Sequence, residues 1–172
     1  MMNQVLLFDC DWTIRRPKSN SRYIKTPDDQ EPIPGAMEAI EDYYDNGWDI
    51  IGITNQTGVA SGQKSFDDCI AEQQYTLNLF SQINVIYLCT DYEGKECYCV
   101  TKKNYMNVIF EVSGINYLKP NAKMIIIALI DYEADLKHSC MVGNSPEDEQ
   151  IAAAAGIDFM WADVWREQSQ TW

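Results

Sequence analysis

No apolar run in this 172-residue sequence is longer than Met124–Ile130, far short of the roughly 18–20 residues that cross a bilayer as a helix. A transmembrane helix is excluded. The start, Met1-Met2-Asn3-Gln4 leading into Val5-Leu6-Leu7-Phe8, lacks the basic residues, long apolar core and small-residue cleavage site of a secretory signal, so the protein is expected to be cytoplasmic. Positive charge is scarce: 13 Lys and Arg stand against 26 Asp and Glu, a formal net charge of −13. Such a surplus repels polyanions and argues against extended contact with duplex nucleic acid. Histidine occurs once, at His138, just before an apolar run, where a structural role is expected. No internal repeat, low-complexity tract or linker interrupts the chain, and its length suits one domain over residues 1–172.

What is present has the balance of a folded chain, 46% hydrophobic and 23% charged. Val5–Phe8, Asp49–Thr54, Asn84–Cys89, His138–Gly143 and Asp158–Trp161 are short apolar runs that read as buried strands. Gly35–Asn46, Ser65–Ile83, Asn121–Asp135 and Pro146–Ala155 are long enough for helices, the last with proline near its start, where a missing N–H does no harm. Strands alternating with helices predict an α/β fold: a three-layer, Rossmann-like, mainly parallel sheet with helices on both faces and a ligand site at the carboxyl ends of its strands. Residues 15–34 hold four prolines and read as a loop or small hairpin, and residues 94–113 are the other irregular region.

Five of the basic residues, Arg15, Arg16, Lys18, Arg22 and Lys25, fall within eleven positions. This cationic segment is read either as a solvated loop or as a contact for an anionic substrate. The six cysteines, Cys10, Cys69, Cys89, Cys97, Cys99 and Cys140, are expected in a reducing compartment to be thiols or metal ligands rather than disulfides.

Asp9 and Asp11 follow the first apolar run at a spacing that sets both side chains on one side of an extended chain. Two carboxylates so placed suit a hard cation. One could also attack phosphorus while the other moves a proton, although a strand ending in solvated acids has the same pattern. The rest of the chain bears on that choice. Phe8-Asp9-Cys10-Asp11-Trp12-Thr13-Ile14 resembles the first motif of the haloacid dehalogenase (HAD) superfamily, Asp-x-Asp-Gly-Thr followed by an apolar residue. Ile53-Thr54-Asn55-Gln56-Thr57-Gly58-Val59-Ala60 resembles the second motif, in the form found in histidinol phosphatases, heptose-bisphosphate phosphatases and polynucleotide 3′-phosphatases (subfamily IIIA). Lys119-Pro120 resembles the third and Val142-Gly143-Asn144-Ser145-Pro146-Glu147-Asp148 the fourth, in the same order along the chain.

The resemblance implies a HAD-type phosphatase without a separate cap domain, in which Asp9 forms an aspartyl-phosphate and Asp11 is general acid and base. Thr54, Asn55 and Lys119 would hold the phosphoryl group. Mg²⁺ would be bound by Asp9, the Asp11 carbonyl and Asn144, with Asp148 in support. Residues 15–34 would form a flap, with Arg15, Arg16 and Lys18 toward a small phosphorylated substrate. The heptose-bisphosphate branch also implies a zinc loop at 89–99, with Cys89, Asp91, Cys97 and Cys99 as candidate ligands; the alternative is reduced thiols in a hairpin. Two positions depart from the family pattern. Asn144 stands where Asp is usual, which removes a ligand charge, and Trp12 replaces Gly, where it narrows the entrance, stacks on a substrate ring or packs against its own loop. Three functions follow: a phosphatase of small metabolites such as sugar phosphates, a polynucleotide 3′-phosphatase, and a binding protein whose activity Asn144 has weakened. The oligomeric state cannot be read from the sequence.

Overall fold

Leu6 and Phe8 face one way from the first strand and Val5 and Leu7 the other, and each pair enters a separate apolar core. Side chains alternate across a strand, so an uninterrupted apolar run is what a strand covered on both faces requires. A computed structural model describes residues 2–108 and 120–168. The expected strands are β1 (Val5–Asp9), β4 (Asp49–Asn55), β5 (Val85–Cys89), β8 (Cys140–Gly143) and β9 (Asp158–Trp161), and they run parallel in the order β5-β4-β1-β8-β9. Helices α1 (Ala36–Asp45), α2 (Phe66–Leu79) and α5 (Ala162–Gln168) supply the Leu6/Phe8 side, and α3 (Pro120–Asp131) and α4 (Pro146–Ala155) the other. The three-layer α/β arrangement is therefore present, and no described helix is long and apolar enough to cross a membrane.

The two irregular regions carry short strands of their own. In the first, β2 (Arg15–Arg16) pairs antiparallel with β3 (Glu31–Pro32) and pins the ends of the proline-rich segment. In the second, β6 (Cys97–Val100) and β7 (Tyr105–Asn107) extend the sheet antiparallel beyond β5, which the sequence reading did not expect. The run beginning at His138 also starts later than expected. Leu136–His138 is a 3₁₀ turn whose Lys137 N–H donates to the Asp135 carboxylate at 3.1 Å, and that carboxylate also bonds His138 Nδ1 at 2.7 Å.

Antiparallel pairing sets Cys89 directly opposite Cys97, and the two are joined in a disulfide. This corrects the expectation of thiols or zinc ligands at these positions. The Asp91 carboxylate is taken up by its own turn, accepting the Lys95 and Glu96 N–H groups at 3.0 Å each. Cys99 lies opposite Tyr87 rather than beside the pair. Among the described residues no three His, Cys, Asp or Glu side chains are grouped to hold a metal ion, so Cys89, Asp91, Cys97 and Cys99 do not form the zinc set. Thiol titration of the denatured protein is expected to find four thiols without reductant and six after reduction; six in both would overturn the pairing.

Candidate active site

From β1 the chain passes to β4 and β5 on one side and later to β8 and β9 on the other. The carboxyl end of β1 is thus the point where the strand order reverses, and there the flanking loops part and leave a crevice. Asp9 is the last residue of β1, paired in register with Ile53, so that Thr54 and Asn55 are the next two residues along β4. The Cys10 N–H donates to the Ile53 carbonyl at 3.1 Å, which ties the loop after β1 to that neighbour.

The Asp11 carboxylate is held by two donors, Arg15 Nε at 3.0 Å on one oxygen and Gln56 Nε2 at 3.2 Å on the other. Gln56 Nε2 also donates to the buried Thr54 hydroxyl at 2.9 Å, and its Oε1 accepts from Lys64 Nζ at 3.2 Å. Arg15 is fully buried and is balanced from α2, where Glu72 pairs with its guanidinium at 3.3 Å and Thr76 accepts a further hydrogen bond. Lys64 completes the group by pairing with the same Glu72. These contacts fix the angle at which Asp11 faces the crevice. Gln56, Lys64 and Glu72 were not picked out from the sequence as site residues. The available signal was on α2, where Glu72, Gln73 and Thr76 occupy the buried face between Cys69 and Leu77.

Burial pushes the Asp9 carboxyl well above the ordinary carboxylate range, and the negative charges of Asp11 and Asp148 add to the effect; Arg15 and the Cys10 N–H pull weakly the other way. Asp148 reaches this neighbourhood from the first turn of α4. Its carboxylate accepts the Asn144 and Ser145 N–H groups at 3.1 and 3.2 Å, while the Ser145 hydroxyl accepts the Asp148 N–H in a capping box. Gly143 makes this seat available, because a Cβ there would lie 2.5 Å from the Asp148 Cβ. Gly143→Ala is therefore expected to cost roughly 1–3 kcal/mol of stability and most of the activity, as read by urea denaturation and phosphate release. Asn144, which is exposed, presents a neutral amide beside these acids. The Asp9 carboxyl with the Asp11 carbonyl and the Asn144 amide oxygen beside it is a set of oxygen ligands that fits a hard divalent cation. Mg²⁺ in particular is held by one or two carboxylates plus substrate oxygens rather than by a closed cage.

The crevice opens into a cleft of about 710 Å³, with Asp11, Arg15, Asn55 and Gln56 among its lining residues. Its other cations are Lys64 and, from the proline-rich segment, Arg22 and Lys25. Two of the three expected flap residues are engaged elsewhere: Arg16 pairs with Glu31 at 2.9 Å and Lys18 lies over the Tyr75 ring. Lys119 lies outside the described residues.

Asp9, Asp11, Thr54, Asn55, Asn144 and Asp148 are thus gathered from three parallel strands around one reversal of strand order. The fold is that of the HAD class, and the family profile and the relatives that match the chain make it a phosphatase of subfamily IIIA. A sequence profile described as polynucleotide kinase 3 phosphatase matches residues 4–165, nearly the whole chain, and the protein belongs to that family. It is 29% identical over 140 residues to a D-glycero-D-manno-heptose-1,7-bisphosphate 7-phosphatase of Thermosynechococcus vestitus, covering 78% of this chain and 67% of that one. A D-glycero-alpha-D-manno-heptose-1,7-bisphosphate 7-phosphatase of Campylobacter jejuni is 26% identical over 161 residues, 91% of this chain and 80% of its own. Among solved structures, the D,D-heptose 1,7-bisphosphate phosphatase of B. bronchiseptica, complexed with magnesium and phosphate, superposes with a TM-score of 0.67 at 22% identity, over 91% of this chain and 78% of that one.

Proposed function

We propose that the protein hydrolyses phosphomonoesters of small metabolites, sugar phosphates foremost, with Mg²⁺ as cofactor. The observation that carries this reading is the Asp9 and Asp11 pair at the reversal point, with Asp11 held by Arg15 and Gln56. The heptose-bisphosphate phosphatases among its relatives support the substrate class.

In the first step an Asp9 carboxylate oxygen attacks phosphorus and the bond to the leaving oxygen breaks, while Asp11 gives that oxygen a proton. In the second, Asp11 takes a proton from water, whose oxygen attacks phosphorus and releases Asp9 and inorganic phosphate. Thr54, Asn55 and Lys119 offset the charge of the phosphoryl oxygens. Held by Asp9, the Asp11 carbonyl and Asn144, with Asp148 steadying the loop, Mg²⁺ would supply further neutralisation of those oxygens. A site with Asn144 has one ligand charge fewer than a site with Asp there. Asn144→Asp is accordingly expected to lower the Mg²⁺ concentration for half-maximal activity several-fold; an unchanged Mg²⁺ dependence would remove residue 144 from the ligand set.

A second reading, a polynucleotide 3′-phosphatase, is favoured by the cations of the open cleft, Arg22, Lys25 and Lys64, and by the name of the family, and is opposed by the net charge of −13. Phosphate release with and without Mg²⁺ from an aryl phosphate, sugar phosphates and a 3′-phosphorylated oligonucleotide decides between them, with Asp9→Asn as control. Mg²⁺-dependent release greatest with sugar phosphates is the expected result. Preference for the oligonucleotide would select the second reading, and no release from any of them would overturn both.

A further inference from the structure

Trp12 follows Asp11 with a φ of 62°. The left-handed region admits glycine freely, but a bulky side chain there is a genuine outlier. The strain is locked in by the loop itself. The Trp12 N–H donates to the Arg15 carbonyl at 2.9 Å, and the Thr13 and Ile14 N–H groups donate to the Cys10 carbonyl at 3.3 and 3.1 Å.

Packing does not account for a tryptophan at this point. Trp165, which does pack the core, is 1% exposed, whereas Trp12 is 45% exposed and holds the Arg22 carbonyl through a single indole N–H at 3.3 Å. Its side chain instead lines two spaces at once, the 710 Å³ cleft and a shallower one of about 210 Å³ that reaches Asn144. An exposed aromatic wall, held in a strained conformation between the cleft and the loop after β8, has the attributes of a ligand contact. Tyr23 and Tyr92, also exposed, line the same cleft.

We infer that Trp12 is a specificity-determining residue: its indole lies against the apolar face of a furanose or pyranose ring whose phosphoryl group is at Asp9. The inference rests on the phosphatase reading above and adds to it the shape of the substrate. Free sugar phosphates and nucleoside monophosphates share this ring, and ring-free glycerol 3-phosphate does not.

The test compares kcat/KM for glucose 6-phosphate, thymidine 3′-monophosphate and glycerol 3-phosphate in the wild type, Trp12→Gly and Trp12→Phe. Trp12→Gly is expected to lower the preference for ring-bearing over ring-free substrate about ten-fold, chiefly through KM, and Trp12→Phe to restore most of it. The two ring-bearing arms show which source of the ring is preferred. Thermal stability of Trp12→Gly should hold or rise, since glycine relieves the backbone, whereas a packing role predicts a fall. A fall in stability with unchanged substrate preference overturns the inference and leaves the phosphatase reading standing. Calorimetric binding of glucose 6-phosphate and thymidine 3′-monophosphate to Asp9→Asn, with and without Trp12→Gly, separates the two further. Binding that weakens about ten-fold without wild-type turnover would keep the Trp12 contact and overturn the phosphatase reading; neither binding nor turnover would overturn both.

Discussion

Asp9→Asn is expected to abolish phosphate release, a loss on the order of 10⁴-fold or more, and at the same time to stabilise the metal-free protein. The two effects have one cause. The folded protein confines Asp9 where burial and the charges of Asp11 and Asp148 raise its pKa, whereas in the unfolded chain the same carboxyl ionises normally. From the ordinary carboxylate value upward, as far as the raised one, the folded state therefore binds more protons than the unfolded state, and stability falls as pH rises through that window. Asparagine carries no charge to bury and removes the fall. Thermal melts in EDTA across this range should show the wild type losing Tm relative to Asp9→Asn as pH increases. Added Mg²⁺ should raise the wild-type Tm and leave the variant nearly unmoved, because a ligand of the folded state stabilises only where it binds. Equal melting of the two proteins at every pH would show that Asp9 is not under this electrostatic load.

Glu72→Ala is expected to be among the most damaging single changes apart from those at Asp9. Glu72 is 2% exposed and its partner Arg15 is 0% exposed, so removing the carboxylate leaves a buried guanidinium with Asp11 as its remaining carboxylate partner. Breaking a buried pair from one side costs about 3–5 kcal/mol, to be read from the shift in urea midpoint. Arg15 would also be free to turn toward Asp11 at a different angle, which lowers the rate at saturating substrate beyond any loss of folded protein. Glu72→Gln keeps the shape and one acceptor and should fall between the two. Wild-type stability in Glu72→Ala would mean that the charge of Arg15 is already met by Asp11 and solvent.

Much of the architecture was legible in the sequence, for a physical reason. A parallel strand covered on both faces must be free of polar side chains at consecutive positions, as Val5–Phe8 and Ile50–Ile53 are. The candidate site residues sit where those runs turn polar, because the strand ends are where backbone and side chains meet solvent and ligand. Legibility stopped where one side chain had two available partners. Cys89 and Cys97 read in sequence as thiols or metal ligands rather than a disulfide, and only the antiparallel register of β5 and β6 sets them face to face. Strands of four and three residues rich in Cys, Tyr and Asn, such as β6 and β7, carry too little periodicity to be read at all. Glu72 shares the apolar face of α2 with Cys69 and Leu77, but its partner Arg15 comes from β2, far away in sequence, and could not be named from the helix alone. Trp12 was visible as an anomaly in a motif, but its left-handed backbone was not.

The placement of β1 between β4 and β8 also dictates when the site comes into being. A chain synthesised from its amino end delivers the Asp9 and Asp11 segment before the Asn55 strand, and both before β8. Leu7 must then wait for Met141, its partner on the other flank, until everything between them has been made. Contacts of such long sequence separation form late and slow folding. A ribosome-bound fragment ending before Cys140 can close β1 against β4 but has neither Asn144 nor Asp148. The two sides of the candidate site are therefore joined only once β8 and the start of α4 have been made, long after Asp9 and Asp11 are in place.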